Sequence, residues 1–463
     1  MLYCKNIAFK TYQMKSLLSP KTLSFAALIV LATSSSRGEE EHSHTEGHSH
    51  TEAPSHTEEH SHTETPSHTE TPSHTETPSH TEAPSHTEEH STDWANALLT
   101  GEGIDPVGFS LPDLYIIGTG GVSESGGNPA DGAFSEHDPQ NDVGFQAIDL
   151  DWAFDFGDIV TGLIAGTGFQ VVGGDWEAEL EEAFLHFHVN DSLAIGGGQF
   201  LNALGFESTK HVHGWDFVNQ NLLNARLMND GHLTTQGGEI LIKTPNQGLF
   251  TVGFGGIRSH GEHGHGEEEH EEEEEGHHFE SHNAEFNNWV ASLDYRFTLP
   301  SDENLIISSS VAFGENGFGE DTLLIGAGFQ KMWSDHNHSH DEFCPGTIQL
   351  RSEFFYREID AVDEDGDQHT FDDMGIATIL SCQLTEDING SLRHDWVSSL
   401  AALELTDTHR FSAALTTNLG PQDRLQARVQ YDHLINDTIG TEHIAWLQIQ
   451  YHWGSGDHEG HNH

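Results

Sequence analysis

The residues with the clearest chemistry in this sequence are histidines that alternate with carboxylates. The chain contains 37 His and 76 Asp and Glu residues. Imidazole nitrogens and carboxylate oxygens together suit Zn²⁺, Cu²⁺ or Ni²⁺, whereas carboxylates alone suit Ca²⁺ or Mg²⁺. A His-x-His spacing also places two rings on the same side of an extended chain. We therefore expect loosely bound zinc, or another divalent transition metal, and no organic cofactor.

Histidine-rich sequence occurs in four separate segments. Residues 39–91 repeat a hexapeptide close to Ser-His-Thr-Glu-Thr-Pro, residues 260–282 form an acidic run, and two short tracts lie at 336–340 and 458–463. The predicted metal ligands are His42, His44, His48, His50, His260, His263, His265, His270, His277, His278, His282, His336, His338, His340, His458, His461 and His463. The alternatives are a hydrophilic spacer for the repeat and a solvated acidic loop for residues 260–282.

The charge balance limits the classes of partner. The formal net charge is −59, and Lys and Arg together number only 17. Such a chain repels nucleic acid and phosphate and raises the local concentration of cations. The sequence has no nucleophile elbow, phosphate loop, zincin helix or Cys-x-x-Cys, so we expect neither enzymatic activity nor a nucleic-acid partner.

Composition divides the chain into five parts. Residues 1–38 read as a secretory signal peptide, with lysines followed by a short apolar run and small residues. Residues 39–91 have almost no apolar side chains and are expected to be a disordered periplasmic repeat. A linker over 92–111 leads to the folded part, 112–453, and a His-rich tail covers 454–463.

The folded part consists of strands with one apolar and one polar face. In 444–453, Ala445, Leu447, Ile449, Tyr451 and Trp453 alternate with the polar face, which is the period of a strand. The same pattern predicts strands at 112–123, 142–155, 159–171, 177–189, 192–204, 232–243, 249–259, 287–298, 304–314, 322–333, 347–359, 373–383, 388–397, 408–418, 424–433 and 444–453. We therefore predict an all-β fold, a transmembrane antiparallel β-barrel of about sixteen strands in the outer membrane of a Gram-negative bacterium, with membrane lipid around it.

The connections between strands agree with this fold. Short turns alternate with longer segments near 124–141, 205–231, 260–286, 360–372 and 398–407, as periplasmic turns alternate with external loops; the exception is the long segment 334–346. A water-soluble sandwich would show similar alternation of faces. Cys344 and Cys382 are both expected at the periplasmic rim, where they either form a disulfide or remain two free thiols.

Residues 181–207 carry a family resemblance. The runs are Glu-Glu-Ala-Phe-Leu-His-Phe from Glu181 and Ile-Gly-Gly-Gly-Gln-Phe-Leu-Asn-Ala-Leu-Gly-Phe-Glu from Ile195. They resemble porins of the phosphate-selective O/P type, and the likeness extends over about 110–453. It implies a homotrimeric channel whose loop between the fifth and sixth strands folds inward. A phosphate channel needs rings of Lys or Arg, whereas the basic residues here are scattered, so we transfer the fold and not the anion specificity. They are Lys210, Arg226, Lys243, Arg258, Arg296, Lys331, Arg351, Arg357, Arg393, Arg410, Arg424 and Arg428.

The resemblance makes the segment after the fifth strand the pore constriction. His211, His213 and Asp216 would there meet a passing cation, unless the segment is a surface-packed loop helix. Glu182, His186 and His188 share the lumen face of the fourth strand and are weaker candidates. Two functions remain: a cation-favouring porin that helps to import zinc or a similar metal, or a metal-sequestering surface protein for which the barrel is only an anchor.

Overall fold

The computed structural model describes residues 108–109, 112–125, 134–157, 159–171, 174–245, 247–257, 279, 281–334, 345–363, 366–419, 424–438 and 440–454. Sixteen long strands occupy most of them. They are β1 Asp113–Ser123, β2 Val143–Phe156, β3 Val160–Gln170, β4 Trp176–Asn190, β5 Leu193–Leu201, β6 Thr234–Lys243, β7 Gly248–Ile257, β8 Phe286–Leu299, β9 Asp302–Asn316, β10 Asp321–Trp333, β11 Ile348–Val362, β12 Gln368–Gln383, β13 Ile388–Val397, β14 Thr408–Leu419, β15 Leu425–Asn436 and β16 Gly440–Trp453.

The sixteen strands close into one antiparallel barrel. Each strand pairs with its neighbours in sequence, and β16 returns to pair with β1 through Ile444 opposite Ser123 and Trp453 opposite Leu114. A two-residue strand, Gly108–Phe109, also pairs with β2 near its end. The predicted fold class and strand number are therefore confirmed.

The two faces of the strands separate as the alternation predicts. On β16, Leu447 is 51% exposed on the outer surface, while Gln448 beside it points into the barrel and is 1% exposed. On β15, Val429 and Tyr431 face outward, while Arg428 is buried inside. An apolar outer surface on a closed barrel is what lipid requires, because the closed sheet leaves no unpaired edge in the bilayer. The barrel and its outer surface confirm the outer-membrane localisation.

The prediction of a long external loop at 360–372 is wrong. Strand β11 continues to Val362 and β12 begins at Gln368, and between them the Asp363 amide donates to the Asp367 carbonyl at 3.1 Å. Their polar ends are held by the hydrogen bond from Thr370 to Asp360, at 2.7 Å. Because these ends need no lipid-facing side chains, the apolar alternation stops before the hydrogen-bonded ladder does. β16 likewise starts at Gly440, earlier than the predicted 444.

Residues 202–233, between β5 and β6, fold into the barrel and are called the inner segment below. They include one short helix, α1, Leu222–Leu227, whose first turn is capped by the Asn221 side chain accepting from the Asn224 amide. Leucines and a methionine of the inner segment pack against the inner wall in one cluster. It consists of Leu204, Leu223, Leu227, Met228 and Leu233 with Phe286, Val290, Ala312, Leu324, Phe355 and Ala377. The inward fold expected from the resemblance is therefore present, and an apolar core occupies part of the lumen.

Glycines mark both ends of the inner segment. Gly205 has a φ of 76° and Gly231 a φ of 126°, in the left-handed region that other residues avoid. A Cβ at Gly205 would overlap the Glu353 carboxylate, to which the neighbouring Phe206 amide donates. The chain therefore turns off the wall where only glycine fits. Among the described residues, no helix is long and apolar enough to cross a membrane.

Candidate functional site in the lumen

Arginine side chains on one wall of the lumen form hydrogen bonds to the inner segment and hold it in place. The segment has little regular structure, so its carbonyl groups need donors inside the barrel. Three arginines on neighbouring strands donate to these carbonyls: Arg428 to Trp215 at 2.7 Å and Phe217 at 3.1 Å, Arg393 to Asn219 at 2.8 Å, and Arg410 to Gln220. The expectation of scattered basic residues is therefore wrong for these three, because adjacent strands bring them together on one wall.

Asp216, a predicted constriction residue, lies inside this basic region. Its carboxylate accepts from Arg351 at 2.5 Å and from Lys210 at 3.3 Å. Burial alone would raise the pKa of Asp216, but the cations of Lys210 and Arg351 lower it below the ordinary range. The carboxylate is thus ionised and already paired. It is not available to a passing cation, contrary to the prediction.

His211, a second predicted constriction residue, lies between two carboxylates of β4. Its Nδ1 is 2.8 Å from Glu181 and its Nε2 is 2.9 Å from Glu182. Burial lowers the pKa of His211, but the charge and hydrogen bonds of Glu181 and Glu182 outweigh it and raise the pKa well above the ordinary value. Each ring nitrogen faces a carboxylate oxygen, which accepts a hydrogen bond, so this arrangement favours a ring that donates from both nitrogens and carries a positive charge.

A β-bulge brings the Glu181 carboxylate into the lumen. Across from β4, Ala165 pairs with Glu182 and the next residue, Gly166, pairs with Leu180, so Glu181 is the extra residue. Bulges turn a side chain that alternation would send outward. Gln199 donates to the carbonyls of Leu180 and Glu181 and so satisfies the disrupted ladder. Two successive glutamates consequently face the lumen.

His213, the third predicted constriction residue, contacts carboxylates of β2. Its Nδ1 is 3.1 Å from Asp149 and its Nε2 is 3.4 Å from Asp151. The ring stacks on Tyr115, with centroids 3.9 Å apart, and lies almost parallel to the His211 ring at 5.8 Å. Both histidines therefore bridge the inner segment to the acidic wall formed by β2 and β4.

The weaker candidates of the fourth strand continue this wall toward the turn between β4 and β5. His186 is buried, with its Nε2 2.8 Å from Glu239 of β6. A cavity of about 230 Å³ lies beside these residues, and its lining includes Glu182, His186, His188, Asp191, Glu239 and Lys243. Histidine–carboxylate contacts thus follow β4 from the inner segment down to a polar cavity.

Most of the predicted metal ligands fall outside the described residues. Of the seventeen, only His282 is described, in the short 3-10 helix Ser281–Ala284, where it is exposed. Cys382 lies near the end of β12, opposite Ile348. Its predicted partner Cys344 also lies outside the described residues. Metal binding by the tracts and the disulfide therefore stay predictions.

Sequence reasoning missed several lumen residues. Asp149 and Asp151 share the inner face of β2, and their i, i+2 spacing was a usable signal. Glu181 was not accessible in this way, because simple alternation assigns it to the outer face and only the bulge turns it inward. Glu239 likewise has no local signal that links it to His186.

Comparison with known proteins relates the chain to others by structure alone. No family model matches, and no curated protein does. The outer membrane channel DcaP of Acinetobacter baumannii is 9% identical with a TM-score of 0.50, covering 75% of this chain and 97% of that one. An anion-selective porin from Comamonas acidovorans is 10% identical, TM-score 0.46, covering 74% and 100%. OmpT of Vibrio cholerae, in a trimer form, is 9% identical, TM-score 0.45, covering 75% and 100%. At such low identity the likeness is one of fold, and this chain has the sixteen-stranded barrel of the outer-membrane porins.

Proposed function

We propose that this protein is an outer-membrane channel for small solutes that favours cations and helps to import zinc or a similar divalent metal. The His-rich tracts collect the metal at the two mouths of the barrel, and the lumen gives it an acidic path. The trimer implied by the resemblance to phosphate-selective porins is part of this proposal.

The proposal rests on a difference in how the charged side chains of the lumen are paired. The arginines of β13, β14 and β15 are occupied by carbonyl groups of the inner segment. On β2 and β6, Asp149, Asp151 and Glu239 meet only histidines as ionisable partners in the contacts described above. A wall rich in carboxylates raises the local concentration of cations and repels anions.

Planar-bilayer recordings of the full-length protein test ion choice. In a KCl gradient we expect a reversal potential of the sign given by a cation-selective channel. Asp149→Asn combined with Asp151→Asn should weaken that preference, whereas Asp367→Asn, in the turn after β11, should leave it unchanged. Anion preference of the unaltered protein would overturn the proposal.

A second function, a metal-sequestering protein anchored by its barrel, is favoured by one observation. The inner segment occupies part of the lumen and buries an apolar cluster there. Single-channel conductance separates the two functions. If the protein binds zinc but conducts no ions, even after the inner segment has been loosened by mutation, it is a metal-sequestering protein and not a channel.

A further inference from the structure

A second histidine–carboxylate cluster lies in the lumen, apart from the pairs at His211 and His213. Single ligand atoms of Glu136, His137 and Glu179 all lie within 4.8 Å of one another. Within this group, His137 Nε2 lies 3.1 Å from Glu179 Oε1. His137 is 1% exposed, so the cluster has a buried imidazole at its centre.

His232 lies next to this cluster with an unused ring nitrogen. Its ring centroid is 5.7 Å from that of His137, and the side chain is 4% exposed. Within the described part of the chain, His232 Nε2 has no hydrogen-bond partner. Leaving a buried polar atom without a partner is unfavourable, so this nitrogen, next to the cluster, points to a ligand.

The surrounding structure fixes the positions of these residues. Gln146 donates to the His137 carbonyl at 3.0 Å, and the adjacent Asp138 accepts from the Gln220 amide of the inner segment at 2.8 Å. Glu179 is fixed by β4 and His232 by the last turn before β6. The four side chains therefore come from three elements that are held in place independently of any metal.

We propose that Glu136, His137, Glu179 and His232 form a fixed binding site for one divalent transition metal, of which zinc is the best match. This goes beyond the proposed function, because the ion is held and not passed. Two imidazoles and two carboxylates are a common ligand set for zinc, and two carboxylate charges balance one Zn²⁺. Around a tetrahedral zinc, ligand atoms are about 3.3 Å apart, given metal–ligand distances of roughly 2.0–2.2 Å. Ligand atoms of Glu136, His137 and Glu179 already lie within 4.8 Å of one another, and His232, whose ring centroid is 5.7 Å from that of His137, would turn toward them to complete the set.

A metal at this site would clamp the inner segment. It would link the loop that follows β1, strand β4 and the end of the inner segment, which are far apart in the chain. Since a ligand that binds only the closed arrangement stabilises it by mass action, zinc should oppose release of the inner segment from the lumen. The flexible tracts at the mouths share no ligand with this cluster and would not have that effect.

Limited trypsin digestion of the full-length protein, with zinc or with a chelator, tests the site. The inner segment contains two trypsin sites, Lys210 and Arg226, and its cleavage reports how often the segment is released. At free zinc ten times the dissociation constant we expect about tenfold slower cleavage than with the chelator. His232→Gln should abolish the zinc effect while leaving the chelator rate near that of the unaltered protein.

Two further variants exclude trivial explanations. Glu179→Gln should also abolish the zinc effect. With two variants, the result does not depend on one protein that folds poorly. The folding of each barrel is checked by its heat-modifiable migration on gels. His282→Gln, a predicted tract ligand outside the cluster, should keep full protection. Equal zinc protection in the unaltered protein, His232→Gln and Glu179→Gln would overturn the proposal, and so would no protection in any of them. Neither outcome depends on ion selectivity.

Discussion

Replacing Arg428 by Met should release the inner segment from the barrel wall. Arg428 is 4% exposed, and its guanidinium donates to the carbonyls of Trp215 at 2.7 Å and Phe217 at 3.1 Å. Methionine fills similar space but donates nothing, so both carbonyls lose a charged donor inside the lumen. A hydrogen bond to a charged group contributes roughly 1.5–3 kcal/mol, so two of them contribute about 3 kcal/mol or more.

This energy applies to the equilibrium between the held and the released segment. Since about 1.4 kcal/mol is a factor of ten, the released population should rise about a hundredfold. Trypsin cleavage at Lys210 and Arg226 follows this population when opening is fast relative to cleavage. We therefore expect about a hundredfold faster cleavage and a higher single-channel conductance for Arg428→Met.

The matched control is Arg424→Met, which removes the same charge next to the start of the same strand. Cleavage in the control should stay within about twofold of the unaltered protein, as expected for a change away from the contacts to the segment. If Arg428→Met cleaves no faster than Arg424→Met, arginine donors do not hold the segment, and its apolar cluster alone must do so.

Four other predictions can be checked on the same purified protein. The pairing of His211 with Glu181 and Glu182 raises its pKa, so the stability it contributes is complete below the ordinary value of about 6.5 and declines as the pH rises through the folded-state pKa. The thermal midpoint should therefore fall from pH 7 to pH 10, and by less in His211→Gln; an equal fall in both would contradict this. Gly205→Ala should destabilise the inner segment by about 1 kcal/mol or more, measured as faster trypsin cleavage, because its φ of 76° and the adjacent Glu353 leave no room for a Cβ. Thiol labelling should find Cys344 and Cys382 blocked as a disulfide, and two reactive thiols would show the bridge to be absent. Deleting residues 39–91 should lower zinc stoichiometry in calorimetry at pH 7.5 while the barrel stays folded; zinc binding that is unchanged at pH 5.5 would mean that carboxylates, not histidines, hold the metal.

The barrel itself could be predicted because its signal is local. Leu447 and Gln448 differ in exposure because successive side chains of a strand point to opposite faces, whatever its neighbours are. Turn residues then fix where each strand ends and the next begins. The pattern failed between β11 and β12, where strands extend beyond the membrane and no apolar face is needed. Strand bounds therefore follow from the sequence only within the lipid-facing part.

The predicted constriction residues illustrate how far the sequence reaches into the lumen. His211, His213 and Asp216 do lie inside the barrel, but their partners were not foreseen. Asp216 is neutralised by Arg351, 135 positions away, and so cannot serve a passing cation. The type of a side chain predicts the chemical class of group that it can bind. Which residue it actually meets depends on the path of the inner segment through the barrel.

The sequence by itself determined a closed barrel with an apolar outside, a polar inside and an excess of negative charge. Only the tertiary structure decided which charges meet. Arg428 and the Trp215 carbonyl that it holds are 213 positions apart, and no local pattern connects them. The bulge at Glu181 and the path of the inner segment result from packing against the whole wall at once. Because these contacts depend on register and closure summed over sixteen strands, they cannot be read from any single stretch of the chain.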